Sequence, residues 1–252
     1  MDYYPLLNKK VRKQVLVSVY DPDTKKRWEE IVKPISKGTQ NELLYQRWIK
    51  HNAEVVDSLS NGTLGYVHIR SMGDASYRDV YADILGKYNR RKGVVIDTRF
   101  NGGGRLHEDI EILFSGEKYL EQVIRDSVAC VMPSRRYVKP SIMITCEANY
   151  SNAHGTPWVY KHKKIGKLVG MPVPGTMSSV TWETLQDTDL YFGLPVVGYR
   201  TQEGYYLENY QLEPDVKVRN TPEKLAVGVD EQLEAAVKEL LKDVENYNYW
   251  GK

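Results

Sequence analysis

The chain has 252 residues, 41% of them hydrophobic and 27% charged, with a formal net charge of +2. That is long enough to bury one large domain, or a domain plus a fragment. Interspersed acids and bases leave no field directed at nucleic acid or an anionic membrane, and no apolar run approaches the roughly 18 residues of a membrane span. No signal peptide opens the chain. Nineteen tyrosines against three phenylalanines predict many half-buried rings with polar tips, which suits a peptide-binding surface and a tyrosine-rich core periphery equally. Cys130 and Cys146 match no metal spacing and read as buried thiols, leaving the redox compartment open.

The first segment alternates Val11, Val15, Val17 and Val19 around "DPDTKK" and returns through Trp28, Ile31 and Ile35, the pattern of a two-stranded hairpin. A lone hairpin is marginal in water, so it is expected to belong to a small β domain whose first part is absent. Leu43, Leu44, Trp48, Val55 and Val56 then recur at helical spacing up to a glycine. "LGYVHIRS" reads as a strand, "YRDVYADILGKYN" as a helix and "KGVVIDTRF" as a buried strand. "RLHEDIEILFSG" reads as a helix, "PSIMITCE" as a strand, "PWVYKHKK" as helical and "GKLVGMPV" as a strand. Shorter strands are expected in "TWETLQ", "LYFGLPVVGYRT" and "GYYLENY". A last helix starts at Asp230, a good cap, with Leu233, Val237, Leu240, Leu241 and Val244 on one face. Alternating strands and helices predict an α/β domain.

Two features carry chemistry. "VVIDTRFNGGG" runs a strand into three glycines ahead of a helix. Arg105 and Leu106 stand where a phosphate loop needs Lys and Ser/Thr, and the dinucleotide glycine spacing is missing. A bare turn, or backbone N–H groups open to an oxyanion, remain as readings. The second feature is Ser151 in "TCEANYSNAH", a candidate nucleophile that needs a partner to take its proton.

In their order, "GYVHI", "VVIDTRFNGGG", "SIMITCEANYSNAHG", "KIGKLVGMPVPGT", "GYYLENYQLEPDVKV" and "GVDEQLEAAVKELL" resemble the C-terminal processing peptidase family of serine proteases, and within it the tricorn core protease branch. The resemblance implies a crotonase-like ββα catalytic core over residues 37–252, preceded over residues 1–36 by a β hairpin from a truncated PDZ-like domain. It implies Ser151 as nucleophile, Gly103 (with Gly102 beside it) and Asn152 as oxyanion donors, and Glu208 in the charge network. Many members carry a lysine base about 25 residues after the serine, where this chain has Thr176. A threonine cannot take that proton near neutral pH, which favours the branch whose histidine base lies upstream of the PDZ domain, before Met1 in this numbering.

Pro157 fits a helix whose first turn begins at Thr156 better than one starting at Ser151, which weakens any dipole argument for the serine. His68 reads as a satisfied strand residue, and His51, His107 and His162 as solvated residues on charged helical faces. His154 is the internal candidate for a base or a pocket residue. The implied activity is peptide-bond hydrolysis, weak or missing in the isolated chain for want of its base; a non-catalytic peptide-binding module with the same fold is the alternative. A peptide or protein substrate is expected, with no cofactor, no metal, no nucleic acid and no membrane insertion. Tricorn-like relatives suggest a homo-oligomer. For the full-length parent a periplasmic or extracellular setting is favoured over a cytoplasmic one.

Overall fold

The computed structural model describes residues 4–248, and the chain divides between His51 and Asn52 into two units. In the first, strands β1 (Val15–Tyr20) and β2 (Arg27–Val32) pair antiparallel from Val15↔Val32 to Tyr20↔Arg27. The intervening turn is held by Asp21, whose carboxylate accepts from the Asp23 and Thr24 amides and the Thr24 hydroxyl, as Asp does in turns. Helix α1 (Lys37–Leu59) starts where the Ser36 hydroxyl accepts the Thr39 N–H at 3.1 Å, an N-cap.

The second unit contains β3 (Leu64–His68), α2 (Asp74–Ala82, ending in a π turn over Asp83–Lys87), β4 (Gly93–Asp97), α3 (His107–Ser115) and the hairpin β5 (Leu120–Ile124) and β6 (Ser127–Met132). It continues with β7 (Ser141–Thr145), α4 (Asn152–His162), β8 (Lys167–Gly170), the hairpin β9 (Ser178–Thr184) and β10 (Tyr191–Gly198), β11 (Val216–Lys217), α5 (Pro222–Ala226) and α6 (Glu231–Glu245). Strands β11-β8-β7-β4-β3 form one sheet, and every neighbouring pair in it is parallel.

Every residue of β4 and β7 is buried, as expected where both faces of a parallel sheet are covered. One face meets the crossover helices: Val67, Val94, Ile96, Met143 and Leu168 join a core with Val80, Ile84, Ile110, Leu113, Phe114 and Tyr160. Sequential strand order with right-handed crossovers places those helices on a single side. The alternate strand residues Val95, Ile142, Ile144 and Val169 are also fully buried, and α6 packs on β4, β7 and β8 with Leu233, Ala236, Val237 and Leu240 inward. The result is a mixed α/β fold in three layers.

Several local expectations change. The β5–β6 hairpin has no counterpart in the strands read from sequence. "GYYLENY" makes only an isolated bridge, Arg200↔Tyr206, and otherwise turns. Helix α4 begins at Asn152 and carries Pro157 in its interior. A proline removes one helical hydrogen bond, and here the carbonyl left over, that of Ala153, is taken by Asn149 Nδ2 at 3.2 Å. Cys130 is half-buried rather than buried, and Cys146 is buried; both are free thiols.

A buried polar cluster fixes the end of β4. Arg99, 2% exposed, donates through Nε and Nη2 to Asp97 and through Nη1 to Asp230 and Gln232. Asp230 also caps α6 by accepting the Leu233 N–H at 3.0 Å. Tyr66 adds a hydrogen bond to Asp97 at 2.9 Å. Burial alone would raise the Asp97 carboxyl, but the Arg99 guanidinium outweighs it and holds the group below the usual carboxylate range.

Candidate active site

Three loops leave the carboxyl ends of neighbouring strands β4, β7 and β8, where open α/β sheets place their ligands. The β4 loop is built on Asn101, fully buried. Its Nδ2 donates to the Ile69 carbonyl at 2.7 Å, its Oδ1 accepts the Gly103 N–H at 2.8 Å, and its carbonyl accepts the Tyr150 N–H at 3.0 Å. The turn therefore grips the β3 end on one side and the β7 loop on the other.

The glycines differ in what they do. Gly103 has φ +93°, and a Cβ there would lie 2.7 Å from Ser151 Cβ and the Tyr150 carbonyl, and 3.1 Å from the Asn152 nitrogen. Gly104, at φ +136°, would place a Cβ 2.1 Å from the Met72 carbonyl. Both positions need glycine for conformation and for space. Gly102 needs it for neither, since nothing lies within 4 Å of a Cβ there. Among the described residues the Gly103 N–H is engaged by Asn101, whereas the Gly102 N–H takes no acceptor.

Ser151 follows the β7 loop with φ +55° and ψ −123°. Left-handed backbone at a non-glycine residue is already uncommon, and this ψ lies well outside the αL well. Such a residue costs on the order of 1–3 kcal/mol and persists only where its surroundings over-determine it. They do so here. The Ser151 N–H donates to Thr176 Oγ1 at 3.0 Å, and its carbonyl accepts the His154 N–H at 2.7 Å. Asn149, buried, ties the loop to Thr98 Oγ1 at 3.0 Å. A strained serine on a strand-to-helix turn is the geometry of a nucleophile elbow. The Asn152 N–H, at the first position of α4, has no intrahelical acceptor and sits beside Gly103. Because α4 starts directly after Ser151, the helix N-terminus does face this point, contrary to the reading from Pro157.

Thr176, at the position where the resemblance places a lysine, is thus a backbone anchor for the serine. Its loop also holds Glu208: the Asn209 N–H donates to the Gly175 carbonyl at 2.9 Å. Glu208 is half-buried, and its charge reaches His154. That ring is fully buried, and neither nitrogen meets hydrogen-bond geometry. Burial lowers its basicity, while the Glu208 carboxylate and the nearby Tyr210 backbone oppose that shift only in part. The sequence thus brings Ser151, Gly103, Gly102 and Asn152 together, with Glu208 and His154 one loop away. Ser151 Oγ bonds no partner among the described residues. His68 is the satisfied residue expected, its Nε2 3.1 Å from the Arg99 carbonyl.

His107 departs from the reading of a solvated histidine. It is half-buried, 2.7 Å from Asn152 Nδ2 through Nδ1, and edge-on to Tyr199. Its place three residues after the glycines was the available signal. Among the described residues no group of three or more His, Cys, Asp or Glu could hold a metal ion.

The model of peptidase family S41 matches residues 63–218, more than half of the chain. The tricorn protease of Thermoplasma volcanium is 27% identical over 215 residues, covering 81% of this chain and 20% of that protein. A tricorn protease homolog of Saccharolobus solfataricus is 28% identical over 247 residues, covering 96% of this chain and 22% of that protein. The crystal structure of the tricorn protease shares the fold with a TM-score of 0.75 at 22% identity, over 96% of this chain and 23% of that one. The chain therefore spans about a fifth of the length of the relatives it matches.

Proposed function

Because the chain belongs to peptidase family S41, we propose that it is the catalytic portion of a serine peptidase that hydrolyses peptide bonds by acyl transfer. The observation that carries this reading is the strained elbow at Ser151, packed against the Gly103 backbone.

In the proposed reaction Ser151 Oγ attacks the substrate carbonyl carbon while a base removes the hydroxyl proton. The carbonyl oxygen becomes an oxyanion, held by the Asn152 N–H and an N–H of the glycine turn. For Gly103 to be that donor, its N–H must share or release Asn101 Oδ1; the Gly102 N–H is open already. Collapse breaks the C–N bond, the base returns its proton to the leaving amine, and water then hydrolyses the acyl-serine by the same steps in reverse order. Glu208 orients and charges the base network. We place the base on a histidine outside these 252 residues, since no described histidine bonds Ser151 Oγ and the His154 ring is enclosed. We also read the β1–β2 hairpin as part of a PDZ-like domain, on the strength of its antiparallel two-strand pairing, and the catalytic core as crotonase-like.

The test is made in the full-length parent. Ser151→Ala should abolish hydrolysis of a peptide library with the melting temperature unchanged, and Glu208→Gln should fold normally yet lose much of its turnover. Hydrolysis surviving in Ser151→Ala would reject the nucleophile and leave the peptide-binding module as the better reading.

A further inference from the structure

Helix α3 begins directly after the glycine turn, yet it has no cap of its own: its N-cap position is Leu106, which makes no side-chain capping bond. The missing acceptor comes from another loop. Asn152 Oδ1 accepts the Leu106 N–H at 2.9 Å and the His107 N–H at 3.2 Å. Backbone N–H groups can only donate, so these two bonds fix which carboxamide atom is oxygen. Nδ2 then faces His107 Nδ1 at 2.7 Å, and His107 must accept there, with its ring proton on Nε2. The Asn152 side chain is 3% exposed, so these donors and acceptors have little recourse to water.

We propose that the Asn152 carboxamide is a positioning residue that sets the two halves of the oxyanion site in register. This rests on the peptidase reading above. The Asn152 backbone supplies one proposed oxyanion N–H, while its side chain clamps the helix that anchors the other. The glycine turn and the serine elbow leave different strands, and the clamp adds to the Asn101–Tyr150 bond a second link between them. It also extends further. The His107 ring meets Tyr199 edge-on with centroids 6.2 Å apart, and the Tyr199 carbonyl accepts the Leu207 N–H at 3.0 Å, one residue before Glu208. The carboxamide itself bonds only the start of α3 and, within its own helix, Thr156, and it is linked to the Glu208 loop indirectly, through His107 and Tyr199.

The clamp can be tested without turnover, in the 252-residue chain labelled with 15N. Asn152→Ala should speed amide exchange at residues 104–107 by about ten-fold, the size of losing a helix N-cap, with strand β4 unchanged. Asn152→Asp keeps both acceptors and should retain the protection. It also replaces a donor by a carboxylate opposite His107 Nδ1, so the ring proton should move from Nε2 to Nδ1, read from the imidazole 15N shifts. Should Asn152→Ala not fold, the tautomer change in Asn152→Asp carries the test. Unchanged exchange in the alanine variant, or an unchanged tautomer in the aspartate variant, overturns the clamp.

In the full-length parent, Asn152→Ala should lower kcat by roughly 10²-fold, the effect of misplacing a reacting group by about 1 Å, with KM little changed. Asn152→Asp should restore most of that turnover. A wild-type kcat in Asn152→Ala would overturn the positioning role. Absence of hydrolysis in the wild-type parent would instead remove the peptidase reading, and the exchange and tautomer data would still decide the clamp.

Discussion

Gly103→Ala puts one methyl group between the glycine turn and the serine elbow. The new Cβ would lie 2.7 Å from Ser151 Cβ and from the Tyr150 carbonyl, and 3.1 Å from the Asn152 nitrogen, on a residue at φ +93°. Left-handed backbone costs an L-residue about 1–2 kcal/mol, and overpacking about 1–3 kcal/mol, giving a combined loss of about 2–5 kcal/mol. In a domain of this size that lowers Tm by about 4–20 °C. Two of the three neighbours are backbone atoms and cannot swing aside, so relief comes by displacing the Ser151 elbow. Turnover should fall by roughly 10²- to 10³-fold, as when one oxyanion donor is lost. Gly102→Ala is the matched control. With open space around its Cβ and φ outside the left-handed region, its Tm should stay within about 2 °C of wild type. Thermal melts and kcat on one peptide substrate measure both. Equal Tm values for the two variants, or wild-type turnover in Gly103→Ala, would refute the close packing of turn against elbow.

Ser151→Gly removes the proposed nucleophile together with the strain at φ +55°. Relief of about 1–3 kcal/mol less about 0.5–1 kcal/mol for glycine's extra freedom should leave it more stable than Ser151→Ala, and a lower Tm than the alanine variant would exclude strain at this residue. Burial depresses the His154 pKa below its ordinary 6.5, with Glu208 and the Tyr210 backbone opposing, so the unfolded chain binds the proton more readily. Stability is therefore full above about pH 6.5 and falls as pH drops from there toward the depressed folded value. His68, also depressed chiefly by burial, adds to the same limb. His154→Leu should flatten Tm against pH between about pH 7 and 5 relative to wild type, and an undiminished slope would remove His154 as a contributor.

Much of the sheet was legible because its strands are buried on both faces: β4 and β7 are continuous apolar runs that admit few other readings. The glycine turn and Ser151 were legible as a pair through the resemblance, and Ser151 does fall at a strand-to-helix turn. What failed did so for local reasons. Pro157 signals a helix start only if the carbonyl four residues back has no other partner, and Asn149, in the loop eight residues before it, supplies one through a side-chain bond that the residue letters do not reveal. The β5–β6 hairpin has β5 wholly exposed, so it lacks the alternation by which half-buried strands are recognised. His107 sits among Glu108, Asp109 and Glu111, a charged face by composition, and its engagement depends on Asn152, 45 residues away. Gly102, Gly103 and Gly104 are indistinguishable as letters; only their φ angles and neighbours separate the two that are required from the one that is not.

The junction of Arg99 with Asp230 has a consequence for how the protein is made. These residues lie 131 positions apart, and the second is also the cap that starts α6. At about 5–20 residues per second the ribosome adds that stretch in about 7–26 s. In the later part of that interval, once Ser151 has been added, the end of β4 has its glycines and its serine loop but lacks the helix that seals it. Until Asp230 and α6 are added, the face of the sheet that α6 covers stays open, and native closure of the site waits on residues 230–245.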